Sequence, residues 1–92
     1  MKTKIQVEKL SLTRLEQLGV SSWPIWECPP STFPWHYQER ETCYLLEGRV
    51  KIRSREGDEV EIGKGDLVTF PPGLHCTWEV LEPVRKHYRL EP

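Results

Sequence analysis

The sequence predicts an all-β fold, a closed barrel or two-sheet jelly roll with one short N-terminal helix. Two observations carry the β assignment. From Trp23 onward the chain is a succession of short runs rich in Val, Ile, Trp, Tyr and Phe, and Pro and Gly punctuate those runs at close intervals. Residues of the first kind suit a pleated, half-buried surface, and those of the second kind turn the chain between strands. The third observation is that a helical spacing of leucines occurs once. In order, Lys4 to Glu8 is expected as a short edge strand. The segment SLTRLEQLG, Ser11 to Gly19, follows as the helix: Leu12, Leu15 and Leu18 recur at helical spacing, Thr13 precedes Glu16 in capping-box order, and Gly19 is a natural stop. Strands are then expected over Trp23 to Glu27, Phe33 to Gln38, Thr42 to Glu47, Arg49 to Ser54, Glu59 to Ile62, Leu67 to Phe70, His75 to Leu81 and Val84 to Leu90. Arg55-Glu56-Gly57-Asp58 reads as a hairpin turn and Gly63-Lys64-Gly65-Asp66 as a second tight reversal. Seven or eight short strands so spaced argue for closure or for two packed sheets.

Length and charge narrow the function classes. The 92 residues make one domain, residues 1–92, with no repeat, low-complexity segment or long linker. Thirteen Lys and Arg stand against 14 Asp and Glu, for a net charge of -1. The signs are interspersed, so neither nucleic acid nor an anionic membrane is an expected partner. No apolar run approaches the roughly 20 residues of a membrane span, and the polar start is not followed by a signal-peptide core. A soluble, cytoplasmic protein is expected. Cys28, Cys43 and Cys76 are odd in number and form no CxxC pair, so reduced thiols are expected. A small barrel has edges, and the strand near Ile5 to Val7 is a candidate for pairing with a second copy in a homodimer.

Two motifs then identify a family. Gly65-Asp66-Leu67-Val68-Thr69-Phe70-Pro71-Pro72-Gly73 resembles the second cupin motif, G-x5-P-x-G-x2-H, and Glu41 followed by six residues and Gly48 resembles the end of the first, H-x-H-x(3,4)-E-x6-G. Their order and spacing cover residues 35–80. The Trp-rich start and the ending from Trp78 to Tyr88 further resemble small single-domain cupins related to ureidoglycine aminohydrolase and the ethanolamine-utilisation cupins. The resemblance implies a double-stranded β-helix, or jelly-roll, barrel. It also implies a divalent transition metal held by the motif histidines and glutamate, with open positions for substrate.

The ligand positions depart from that pattern. Counting three residues between histidine and Glu41 puts Trp35 and Tyr37 in the histidine places, and counting four puts Pro34 and His36 there. In the second motif the histidine place falls on Cys76, with His75 one residue short. A one-residue offset turns a side chain to the other face of a sheet. Phe33, Trp35 and Tyr37 alternate with Pro34, His36 and Gln38, and Cys76, Trp78 and Val80 alternate with His75, Thr77 and Glu79. With the apolar sets inward, His36 and His75 point outward, unless a bulge recruits one of them. A centre of His36, His75 and His87 is a remote third possibility.

The inward set therefore defines the candidate site: Glu41, Cys43, Trp35, Tyr37, Cys76, Trp78 and, on the last strand, Lys86 and Tyr88. A buried lysine and a buried carboxylate each need a partner, so a Glu41–Lys86 contact in the barrel mouth is expected. That pair can orient a polar ligand. Alternatively Glu41 acts as a general base, or Lys86 as a base or an imine-forming amine, or Lys86 only snorkels to the rim over Tyr88. Cys76 is a candidate soft-metal ligand or nucleophile, although a buried thiol commonly packs as a small hydrophobe. Two function classes follow. One is a small-molecule-binding cupin with a degenerate metal site and no cofactor, whose ligand lies among Trp35, Tyr37, Cys43, Cys76, Trp78 and Tyr88. The other is a metal-dependent hydrolase or aminohydrolase using Glu41, Cys76 and either His36 or Tyr37 as ligands to a divalent transition metal. A third, blander alternative is a structural or regulatory dimer whose pocket is vestigial.

Overall fold

The computed structural model describes residues 5–91; Lys4, the first residue of the expected edge strand, lies outside them. Among the described residues, seven strands and one α-helix follow in the order β1 (Gln6–Glu8), α1 (Leu12–Leu18), a 3-10 turn (Val20–Ser22), β2 (Ile25–Cys28), β3 (Ser31–His36), β4 (Arg40–Ser54), β5 (Glu59–Gly63), β6 (Leu67–Phe70) and β7 (His75–Glu91). All pairings are antiparallel. β7 runs beside β4 for most of its length, and on its other edge it pairs first with β3 and then with β2. The other edge of β4 takes β6 and then β5, and β1 adds to β6.

Two long strands thus carry two half-sheets, and the halves face each other because both strands bend. The register of β4 against β7 shifts between Leu45 and Val50. Through this irregularity the buried set of β4 changes from Glu41, Cys43 and Leu45 to Val50, Ile52 and Ser54. Gly48 lies inside it at φ 102°, where a Cβ would stand 2.5 Å from the Pro83 carbonyl oxygen and 2.6 Å from Val84 Cα. Only glycine combines that backbone angle with so close an approach. Pro83 contributes no N–H to the ladder at the bend of β7. The sequence predicts a pair of separate strands meeting at each of these points, Thr42 to Glu47 with Arg49 to Ser54 and His75 to Leu81 with Val84 to Leu90, and the structure instead has one bent strand in place of each pair. The core lies between the halves, with Leu45, Val68, Phe70 and Val84 from one and Val50, Ile52, Ile62, Trp78 and Val80 from the other.

The helix covers the outer face of the first half, where Leu15, Val20, Trp23 and Leu67 form a second buried cluster. Its cap differs from the expectation. Ser11, not Thr13, is the N-cap, and its hydroxyl accepts from the Arg14 backbone N–H at 3.2 Å, so Thr13 and Glu16 form no capping box. Gly19 ends the helix in the left-handed conformation at φ 72°. Leu12 is exposed, leaving Leu15 as the buried contact. The turn at Gly57 and that at Gly65 form as expected; in the latter the Asp66 carboxylate accepts the Gly63 N–H at 2.8 Å. β1 pairs within its own chain. Among the described residues no helix is long and apolar enough to cross a membrane.

Candidate functional site

One open end of the barrel holds a cavity of about 560 Å³ whose walls are mostly aromatic. β3 contributes Phe33 and Trp35, with Tyr37 just beyond its end, β2 contributes Trp26, and β7 contributes Trp78, Lys86 and Tyr88. Strand alternation explains the β3 and β7 sets, since each places every second side chain on one face. Register explains how they meet: Phe33 pairs with Trp78, and Trp26 pairs with Lys86. Phe33 lies parallel to the Trp78 indole at 6.1 Å, and Trp26 meets the same indole edge-on at 5.8 Å. Tyr37 stacks on Phe70 at 4.6 Å, and its hydroxyl accepts the Trp78 Nε1–H at 3.1 Å. Burial, followed by the nearby Glu41 charge, raises the Tyr37 phenol well above its ordinary value.

The floor is an ion pair. Lys86 Nζ donates to Glu41 Oε2 at 2.6 Å, and the two side chains are only 6% and 9% exposed. Lys86 leaves β7 opposite Leu45, and Glu41 leaves β4 opposite Leu90. The lysine stem therefore runs toward the mouth past the level of Cys43 to reach the carboxylate. On the way its ammonium lies 4.7 Å from the Trp78 ring centre and 5.0 Å from that of Trp26. A desolvated cation over an aromatic face gains up to about 2 kcal/mol, and such contacts help offset the cost of burying the charges. The expected Glu41–Lys86 contact is present, and Lys86 does not snorkel to solvent.

Other expectations need correction. Cys43 shares the inward face but is fully buried in the core below the cavity, so it is not a wall residue. Burial pushes its thiol up to about 12, against the opposing pull of Lys86. Cys76 is also packed into the core, away from the aromatic cavity, and burial raises it to about 11. Neither is an activated nucleophile. Trp35 does line the cavity, but as a rim residue that is half exposed.

The metal set Glu41, Cys76 and His36 does not converge. His36 reaches the lining of the cavity but stacks on its cross-strand partner His75 at 3.9 Å, while His87 Nδ1 contacts the Trp23 carbonyl oxygen at 2.8 Å. Partial burial, then Arg55 and His36, lower His75 from its ordinary value. Among the described residues no three His, Cys, Asp or Glu side chains are placed to share a metal ion. At the family's ligand positions Trp35 has no donor pair, Cys76 is a buried thiol, and Glu41 is already engaged by an ammonium. This donor set does not fit a divalent transition metal. Trp26, Phe33, Gln38, Glu39 and Leu90 also line the cavity, and sequence reasoning did not single them out as site residues. Phe33 could have been found from its shared parity with Trp35, whereas Trp26 becomes visible only through its pairing with Lys86.

The sequence model of the EutQ-like cupin domain matches residues 15–88. Among solved structures, a DUF861 family protein from Thermotoga maritima is 52% identical over 96% of this chain and 100% of its own, with a TM-score of 0.95. A putative ethanolamine utilization protein Q from Salmonella typhimurium is 25% identical over 96% of this chain and 69% of its own, with a TM-score of 0.69. A predicted oxalate decarboxylase from Thermotoga maritima, at 19% identity over 94% of this chain and 78% of its own and a TM-score of 0.58, shares the fold. No curated protein matches significantly.

Proposed function

The chain belongs to the EutQ-like cupin domain family, and from that premise we propose that it is a small-molecule-binding cupin whose metal site is degenerate. The ligand is a polar metabolite held in the aromatic mouth, with its polar end on Glu41 and Lys86. The observation that carries this reading is the 2.6 Å Glu41–Lys86 pair set on the floor of a largely aromatic cavity. A buried charge pair is weak evidence for stability, because well-packed apolar residues of similar volume often do as well. At the accessible bottom of a pocket, a few fixed polar groups among aromatic walls are the usual means of orienting a small ligand. The lack of fit between the donor set and a transition metal supports binding over metal-assisted hydrolysis.

Elemental analysis of the untagged protein beside the Glu41→Gln variant, paired with a thermal-shift screen of small polar ring compounds, tests the reading. Substoichiometric metal in both proteins and stabilisation of the parent by ring ligands are expected. Near-stoichiometric metal in the parent that disappears in Glu41→Gln would overturn it in favour of a metal-dependent enzyme.

A further inference from the structure

The pocket floor restricts the ligand class, an inference that rests on the binding reading above. Oε2 of Glu41 accepts from Lys86 Nζ. Oε1 accepts no hydrogen bond among the described residues, yet no buried side-chain oxygen or nitrogen there is left without a partner. Oε1 is therefore not sealed in the core, and since Glu41 lines the cavity, that oxygen opens onto it. Lys86 carries three N–H donors, and Glu41 is its one hydrogen-bond acceptor among the described residues. Lys86 also lines the cavity, so a donor and an acceptor stand side by side on the floor.

Charge decides between the ligands that such an edge could take. The two floor charges cancel. A carboxylate ligand would meet Glu41, with Glu39 also on the cavity wall, and an ammonium ligand would meet Lys86. Like charges at contact distance in a poorly solvated site repel strongly, so ligands of either sign are disfavoured. Flat indole and phenyl walls favour a flat ligand. We propose that the pocket binds a neutral planar compound through a cis-amide, or lactam, edge. Its carbonyl oxygen accepts from Lys86 Nζ, its N–H donates to Glu41 Oε1, and its ring lies against the walls formed by Phe33, Trp35 and Trp78.

Calorimetric titration of the unaltered protein with four flat probes of similar size tests this: carbostyril, N-methylcarbostyril, naphthoate and naphthylmethylammonium. Carbostyril is expected to bind about tenfold or more tighter than its N-methyl derivative, because methylation leaves the Glu41 oxygen without its donor. It is expected to outbind both charged probes as well. Loss of carbostyril binding in Trp35→Ala, a change at a half-exposed position whose urea midpoint is checked beside the parent's, places the probe in this cavity. Equal binding of all four probes, or tightest binding of a charged one, overturns the lactam assignment and leaves the aromatic pocket standing. Binding of none overturns the pocket reading itself.

Discussion

Replacing Lys86 with methionine removes the ammonium but keeps most of the stem, so it isolates the charge at the pocket floor. In the structure that charge is 2.6 Å from Glu41, and the two side chains are 6% and 9% exposed. Water in the cavity can reach Glu41, but a neutral molecule does not supply the counter-charge that the ammonium provides. Breaking a buried pair by removing one member costs about 3–5 kcal/mol, chiefly because the remaining charge is left uncompensated. The two indole contacts at 4.7 and 5.0 Å are lost with it, although a thioether over the same rings returns about 0.3–1.5 kcal/mol. A net loss of about 3 kcal/mol is a large share of the roughly 5–15 kcal/mol available to a small domain. At about 4–8 °C per kcal/mol, it corresponds to a melting shift of roughly 12–24 °C. Urea unfolding followed by tryptophan fluorescence reads it as a lower midpoint at unchanged slope. The Glu41→Leu, Lys86→Met double variant removes both charges and is expected to lose at least about 2 kcal/mol less than the sum of the two single changes. A Lys86→Met loss below about 1 kcal/mol, with coupling near zero, is the behaviour of a solvated surface pair and would refute the argument.

Two further outcomes follow from the same structure. Gly48→Ala places a methyl group 2.5 Å from a backbone carbonyl at φ 102°, so a loss of about 2–4 kcal/mol or failure to fold is expected; a urea midpoint close to the parent's would mean that the bend of β4 tolerates a side chain. Cys43 and Cys76 are held at about 12 and about 11 against an ordinary 9.0. The unfolded chain therefore releases these protons first, and stability is intact below about pH 9 and declines through about pH 12. Cys43→Ala is expected to reduce that slope in alkaline urea titrations, and an unchanged slope would show that the thiol is not the cause.

The fold was largely legible because its signals are local. Parity, turn glycines and motif spacing each constrain a few neighbouring residues, and they agree. The bends were read as strand ends because Gly48 changes the buried parity of β4, from Cys43 and Leu45 to Val50 and Ile52, as a break between two strands would. At the site, parity identified Lys86 as a charged residue on an apolar face, and the need of such a charge for a counter-ion led to Glu41. Parity tells which face a side chain takes and not how far it lies from the mouth. Parity therefore points Cys43 and Cys76 toward the pocket although they sit in the core. Trp26 escaped for a different reason. β2 has four residues, and its neighbouring positions Ile25 and Trp26 are both apolar, so alternation cannot choose a face. Only the long-range pairing of Trp26 with Lys86 does so.

The ion pair also bears on the catalytic roles open to the two residues from sequence alone. If Glu41 took a proton from a substrate as general base, the Lys86 ammonium would be left beside a neutral acid in a site that is over nine-tenths buried. If Lys86 formed an imine, the neutral amine required would forfeit the carboxylate contact and both indole contacts together. Each role dismantles the interactions that make the other residue tolerable where it is. Binding a neutral ligand does not, because it uses the remaining oxygen of Glu41 and a remaining N–H of Lys86 while the pair stays intact. The site is coherent on this view. Trp35 and Tyr37, where the cupin motif spacing places histidines, supply ring surface, and Lys86 on β7 supplies a tethered cation that one carboxylate can satisfy.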